Sequence, residues 1–204
     1  MGEIGLFPLP IVLVPGEQIP LHIFEPRYRE LIGECLELDS PFGLVLADDD
    51  GMREVGTQAA VIDVLDRFPD GRLNVLVEGH ERFRIVAETG GRPFATAEVE
   101  ELEDDDDDEP SEEELARCLT AYRRVVEAAE ADFDEPDPGA PSFAIASRID
   151  LGPPVKQDLL ERVSERERVV RLTPLLERAA DALAWERESR ERAATNGRVE
   201  PPGS

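Results

Sequence analysis

Between residues 100 and 114 the chain carries twelve carboxylates and no base. Like charge at that density has no place in an apolar core and keeps a segment extended by self-repulsion. A chain of 204 residues interrupted in this way is expected to build its packing on the two flanks of the run, and the flanks read differently. The pattern predicts a β domain over 1–99, an acidic linker over 100–114, a helical subdomain over 115–188 and a disordered polar tail over 189–204.

The N-terminal flank alternates short apolar runs with turn residues. Ile11-Val12-Leu13-Val14 is closed by the turn pair Pro15-Gly16. Ile19 to Phe24 is a second extended stretch, and Pro20, which lacks a backbone donor, makes it an edge strand or a bulged one. Pro26 suits the first position of a helix whose stripe is Tyr28, Leu31, Ile32 and Cys35, spaced i, i+3, i+4, i+7. Phe42 to Ala47 and Val55 to Phe68 read as strands. Asp70-Gly71 signals a hairpin into Leu73 to Val77, because a two-residue reversal needs a positive φ. Arg82 to Val86 and Phe94 to Val99 complete about six strands, the count of a compact barrel or a small pair of sheets.

The C-terminal flank has helical spacing. Ser111 with Glu114 forms a capping box ahead of an apolar face made by Leu115, Cys118, Leu119, Tyr122, Val125, Val126 and Ala129. Ser142 is placed to cap a second helix running through Ile149, and Leu159, Leu160 and Val163 mark a short third one. Ser164 with Glu167 opens a fourth, with Val169, Leu172, Leu176, Ala179, Ala180 and Leu183 on one side and Pro174 expected to kink it.

Composition excludes several functions. A net charge of −25 repels phosphate backbones and anionic lipid surfaces, so neither nucleic acid nor membrane is an expected partner. No apolar run reaches membrane-spanning length and no secretory signal opens the chain, which points to a cytoplasmic protein. His22 and His80 are the only histidines, and Cys35 and Cys118 lie far apart. Neither set has metal-ligand spacing. The acidic run lacks the spaced ligands and glycine of a calcium loop. There is no P-loop, no nucleophile elbow, and a single lysine, Lys156. No enzyme activity and no cofactor are expected.

The densest stretch of unusual residues is Phe7-Pro8-Leu9, then Val14-Pro15-Gly16, then Pro20-Leu21-His22-Ile23-Phe24-Glu25-Pro26-Arg27-Tyr28. Further on stand Phe42-Gly43, Val55-Gly56-Thr57, Asp70-Gly71-Arg72, Gly79-His80-Glu81-Arg82-Phe83-Arg84 and, in the helical flank, Lys156-Gln157-Asp158-Leu159-Leu160-Glu161. Together these resemble the N-terminal, substrate-binding domain of the Lon (ATP-dependent protease La) family over about residues 4–185. The resemblance implies an α+β protein: a PUA-like compact β domain with one short helix, then a C-terminal helical bundle. It also implies a free-standing recognition module, because in full-length members this region engages protein substrates while other domains hydrolyse ATP and cleave peptide. The expected partners are unfolded or apolar protein segments and a protease.

The candidate peptide-binding residues are Pro20, His22, Phe24, Glu25, Arg27, Tyr28, Arg29, Arg82 and Phe83. Each also has a structural reading. Glu25, Arg27 and Arg29 serve equally as ion-pair partners of one another, or of Arg82 and Arg84. His22 suits an edge strand with its ring satisfied, and Phe24, Tyr28 and Phe83 suit a core. The functional reading is a groove in which an extended peptide adds to the edge strand carrying Pro20. The competing reading is a small-ligand sensor with a closed pocket in the β domain.

Overall fold

The computed structural model describes residues 2–105 and 108–196. Its elements are β1 (Gly2–Leu9), β2 (Gln18–Ile23), α1 (Pro26–Leu38), β3 (Phe42–Asp48), β4 (Gly51–Arg67), β5 (Leu73–Thr89), β6 (Thr96–Glu101), α2 (Glu112–Ala128), α3 (Pro141–Ala146), α4 (Pro153–Glu161) and α5 (Glu165–Asn196). The α+β class and the order of a strand-rich half before a helical half are as the sequence predicts.

Strand order is β2-β5-β4-β3-β1-β6, and β6 pairs back onto β5. Five strands therefore close a ring, β5-β4-β3-β1-β6, with every contact antiparallel except β1 with β3. The ring closes because β5 is 17 residues long and changes partner along its length. Its first part holds β2 from Leu73 to Glu78, and its second holds β6 from Phe83 to Thr89. Among the described residues β2 pairs with no other strand, so its other edge is free, the edge placement being one of the two that Pro20 allowed.

Two apolar layers follow from the period-2 alternation of strands. Leu6, Val45, Phe83, Ala97 and Val99 form one cluster. The Phe83 ring lies against Gly43 and Gly56, where an added Cβ would stand 2.7 and 2.9 Å from its tip, so the small ring has room for that aromatic only because two strands bare their backbones there. The alternate positions, including Phe7, Leu44, Val75 and Val77, pack under α1 through Tyr28, Leu31, Ile32 and Cys35. A third cluster joins the halves: Val12, Val14, Leu46 and Val55 from the β side meet Tyr122, Phe143, Leu159, Leu160, Val169 and Leu172 from the helices.

Several expectations need correction. Ile11 to Val14 is not a strand. It is a buried loop, held where the Thr57 hydroxyl donates to the Leu13 carbonyl at 2.6 Å. The first strand is instead Gly2–Leu9, hidden by two glycines and Pro8. The runs Leu73–Val77 and Arg82–Val86 are one continuous strand. The hairpin at Asp70-Gly71 exists, with Gly71 at φ +85, but the turn is wider than two residues: Phe68 donates to Arg72 at 2.9 Å. Ser111 and Glu114 form the reciprocal capping box. Ser142 caps nothing, because Pro141 takes the first helical position and the Ser142 hydroxyl donates to Glu165. α5 runs through Pro174 to Asn196 as one helix, past residue 189 where the polar tail was expected to begin; residues 197–204 lie outside the described residues.

The largest correction concerns the acidic run. Its carboxylates are not all solvated. Asp104 accepts hydrogen bonds from Arg82 Nη2 and from both Arg168 terminal nitrogens. Asp108 accepts from the Ser164 hydroxyl at 2.6 Å. Two buried guanidinium groups outweigh the repulsion among neighbouring acids at that point, so the run is stitched to the helical half. Asp106 and Asp107 lie outside the described residues.

Candidate functional site

The nine candidate residues do not share one place. Pro20, His22 and Phe24 follow one another at alternate positions of β2 and its end, all exposed, and Glu25, Arg27 and Arg29 follow at the start of α1. These six form one edge of the molecule. Tyr28 is buried beneath it, its ring stacked on Phe7 with centroids 4.1 Å apart, and burial pushes its phenol pKa up. It anchors α1 and offers a ligand little surface. Phe83 fills the barrel and Arg82 sits between the halves, where its Nη1 donates to the Leu160 and Arg162 carbonyls at 2.9 and 2.6 Å. Those two therefore drop out of the peptide-binding set: adjacent residues on a strand point to opposite faces, and both faces of β5 are covered there.

At the edge the chemistry is aromatic with a polar row through it. Antiparallel register places His22 opposite Asn74 and Asn74 opposite Asp66. His22 Nδ1 donates to Asn74 Oδ1 at 2.6 Å, and Asn74 Nδ2 donates to Asp66 Oδ2 at 2.8 Å. The His22 ring stacks on Phe24 at 5.7 Å and meets Phe68 edge-on at 6.1 Å. Phe24 is 59% exposed. Ile62 and Leu65 are also exposed, each at a register shift of β4 between Val61 and Asp63 and between Val64 and Asp66. Such bulges turn side chains out of the regular alternation. Glu25 pairs with Arg27 at 2.9 Å, Arg27 lies over the Tyr28 ring at 4.5 Å, and Arg29 donates to the Asp70 carbonyl at 2.6 Å, tying α1 to the hairpin. The pairing of these residues with Arg82 or Arg84 does not occur, since Arg82 faces Asp104 and Arg84 faces Glu54.

Phe68, Asn74 and Asp66 belong to this surface and carry no local sequence signal. Only the pairing of Ile19–Phe24 with Leu73–Val77 brings them to His22, and that register is a long-range fact. Among the described residues no group of three or more His, Cys, Asp or Glu is placed to hold a metal ion, and no helix is long and apolar enough to cross a membrane.

A ring of strands with one edge strand, capped by a short helix and joined to a helical half, is matched by a known family. The model of the ATP-dependent protease La (LON) substrate-binding domain covers residues 3–178. The chain belongs to that family. The Lon protease of Paraburkholderia phytofirmans is 27% identical over 209 residues, aligned across 93% of this chain and 25% of its own length. The Lon protease of Escherichia coli K12 is 28% identical over 208 residues, across 93% and 26%. The chain thus spans about a quarter of the length of the curated relatives it matches. Among solved structures, a Lon N-terminal domain protein from Xanthomonas campestris superposes with a TM-score of 0.65 at 28% identity, covering 83% of this chain and 95% of that one. The N-terminal domain of the Mycobacterium avium complex Lon protease superposes at 0.66 with 19% identity, a likeness of fold. Seen as a Lon substrate-binding domain, the chain places its free strand edge and its exposed aromatic pair side by side, and the glycines of two further landmarks, Gly43 and Gly56, make room for Phe83.

Proposed function

We propose that this chain is a non-catalytic recognition module that binds extended, apolar stretches of other polypeptides along the free edge of β2. The observation that carries the reading is Phe24, a large aromatic left 59% exposed and stacked on His22 at the end of a strand with one unpaired side. An incoming strand gains backbone hydrogen bonds from the edge and buries its side chains against the aromatic pair and Pro20. Pro20 removes one donor from the edge, which limits how long a strand adds there and protects the edge from pairing without a partner. Membership of the substrate-binding family supports the same reading, and so does the acidic character of the chain, which selects against phosphate-rich partners.

Fluorescence anisotropy with labelled apolar peptides tests it. Phe24→Ala removes an exposed side chain, so the thermal midpoint should hold while peptide affinity falls about tenfold, the scale of one aromatic contact of 1–2 kcal/mol at an interface. Equal binding by Phe24→Ala and the parent chain overturns the assignment of this edge.

A further inference from the structure

At the opposite end of α1 from the β2 edge lies a cavity of about 430 Å3, a volume that suits a small ligand or two neighbouring side chains. Its floor is apolar and fixed, since Leu31, Phe94 and Val99 line it and are buried. Its rim is acidic. Glu3, Glu34 and Glu101 line it with one base, Arg92. That base is paired with Glu34 and lies over the Phe94 ring at 5.0 Å. Among the described residues Glu3 and Glu101 make no ion pair.

The end of the helix adds to the imbalance. α1 terminates at the cavity, where Leu38 and Ser40 line it. A helix C-terminus carries partial negative charge and is ordinarily matched by Lys, Arg or His in the last turn. The last turn of α1 has no base, holds Glu37 and is followed by Asp39 at the cap. Leu38 is 72% exposed beside it. Carboxylates at the negative end of a helix work against the free protein and favour any cation that docks there.

We infer that this cavity is a second polypeptide subsite, specific for a bulky apolar side chain next to a Lys or Arg. The apolar group packs against the exposed Leu38 over the floor of Leu31 and Phe94, and the cation reaches Glu3, Glu101 and the C-terminal end of α1. The inference rests on the reading that the domain binds polypeptides, and adds to it a preference in sequence: basic–apolar pairs at this end of α1, in addition to apolar stretches at the β2 edge.

Methyl-resolved NMR titration of the whole chain with three capped dipeptides tests it: acetyl-Phe-Arg-amide, acetyl-Phe-citrulline-amide and acetyl-Phe-Glu-amide. The expected result is saturable shifts of the Ile4, Leu31, Leu38 and Val99 methyls with the Arg peptide, with affinity falling about tenfold for citrulline, which keeps the shape and loses the charge. The Glu peptide should not bind. Glu3→Gln with Glu101→Gln replaces two exposed side chains and should weaken the Arg peptide by a similar factor without moving the thermal midpoint. In the parent chain, affinity for the Arg peptide should also fall with added salt. Phe24→Ala should leave these shifts unchanged, which separates failure of this subsite from failure of the β2 edge. Equal binding of the Arg and Glu peptides, shifts confined to other methyls, or no shift up to about 10 mM, weaker than specific recognition, overturns the proposal. So does loss of Arg-peptide binding in Phe24→Ala, because the two sites would then be one.

Discussion

Asp104 stands in the most acidic stretch of the chain, yet replacing it with Ala should destabilise the fold far more than replacing its neighbours. Its carboxylate takes hydrogen bonds from Arg82 Nη2 and from Arg168 Nη1 and Nη2. Arg168 is fully buried and Arg82 nearly so. Arg168 retains Glu165, the Ser142 hydroxyl at 2.9 Å and the Arg162 carbonyl at 2.8 Å in the variant. Among the described residues Arg82 keeps hydrogen bonds to the Leu160 and Arg162 carbonyls but has no second ion pair. Removing one partner of a buried pair costs about 3–5 kcal/mol, because a buried charge is left uncompensated. The Asp104 side chain is itself 35% exposed, so water enters the gap and offsets part of that. A loss of about 2–3 kcal/mol is expected on these grounds. Urea denaturation at pH 7, followed by far-ultraviolet circular dichroism, measures it. Glu103→Ala, one residue away and exposed, serves as the control and should stay within about 0.5 kcal/mol. Equal stability of the two variants would refute the argument and return the run to solvent.

The same ion pairs set an acid limit. Burial raises the Asp104 pKa, but the hydrogen bonds and charge of Arg168, and then of Arg82, outweigh it and hold the carboxyl below its ordinary range. Asp158 is likewise lowered, its partial burial outweighed by Arg171 and Arg162. A depressed folded-state pKa contributes stability that is complete above the unfolded value and lost as pH falls through the folded one, so urea midpoints should be flat from neutral pH to about 5 and fall below about 4; a curve flat to pH 2 contradicts this. Phe83→Ala should cost about 3–5 kcal/mol, since it empties the space between Gly43 and Gly56; a stable Phe83→Ala with impaired peptide binding would restore it to the ligand surface.

How far the sequence reached depended on the range of the interactions involved. The α1 stripe, the Ser111–Glu114 capping box and the Asp70-Gly71 reversal are set by residues within a few positions of one another, and each appears where its spacing places it. Pro20 announced an edge or bulged strand because a missing donor is a local fact. β1 escaped notice because two glycines and Pro8 blur its alternation, and only pairing with β3 and β6 makes it a strand. Arg82 and Phe83 stand in one of the landmarks that carry the family resemblance, and no residue beside them in sequence marks them as buried. Their burial depends on Leu160, Arg162, Asp104, Gly43 and Gly56, which lie far away in sequence. The charge count misjudged Asp104 for a related reason: it weighed a carboxylate against its own segment, whereas Arg168, 64 residues on, decides its environment.

The closed ring of strands also governs the order in which the protein acquires its shape. β1 has both its partners downstream, β3 and β6, and the second begins at Thr96. During synthesis the first strand must wait until nearly half the chain has emerged before its outer side is covered, and until then it exposes unpaired backbone. Closing a loop of that length costs conformational entropy before any contact repays it. Closure of the ring is therefore expected to be the slow event of folding, as for other non-local β topologies, whereas α2 and α5 meet over shorter separations. A nascent chain halted before residue 96 would hold the apolar side of β1 open to any neighbour, and the last strand to arrive, β6, acts as the closing stave of the barrel.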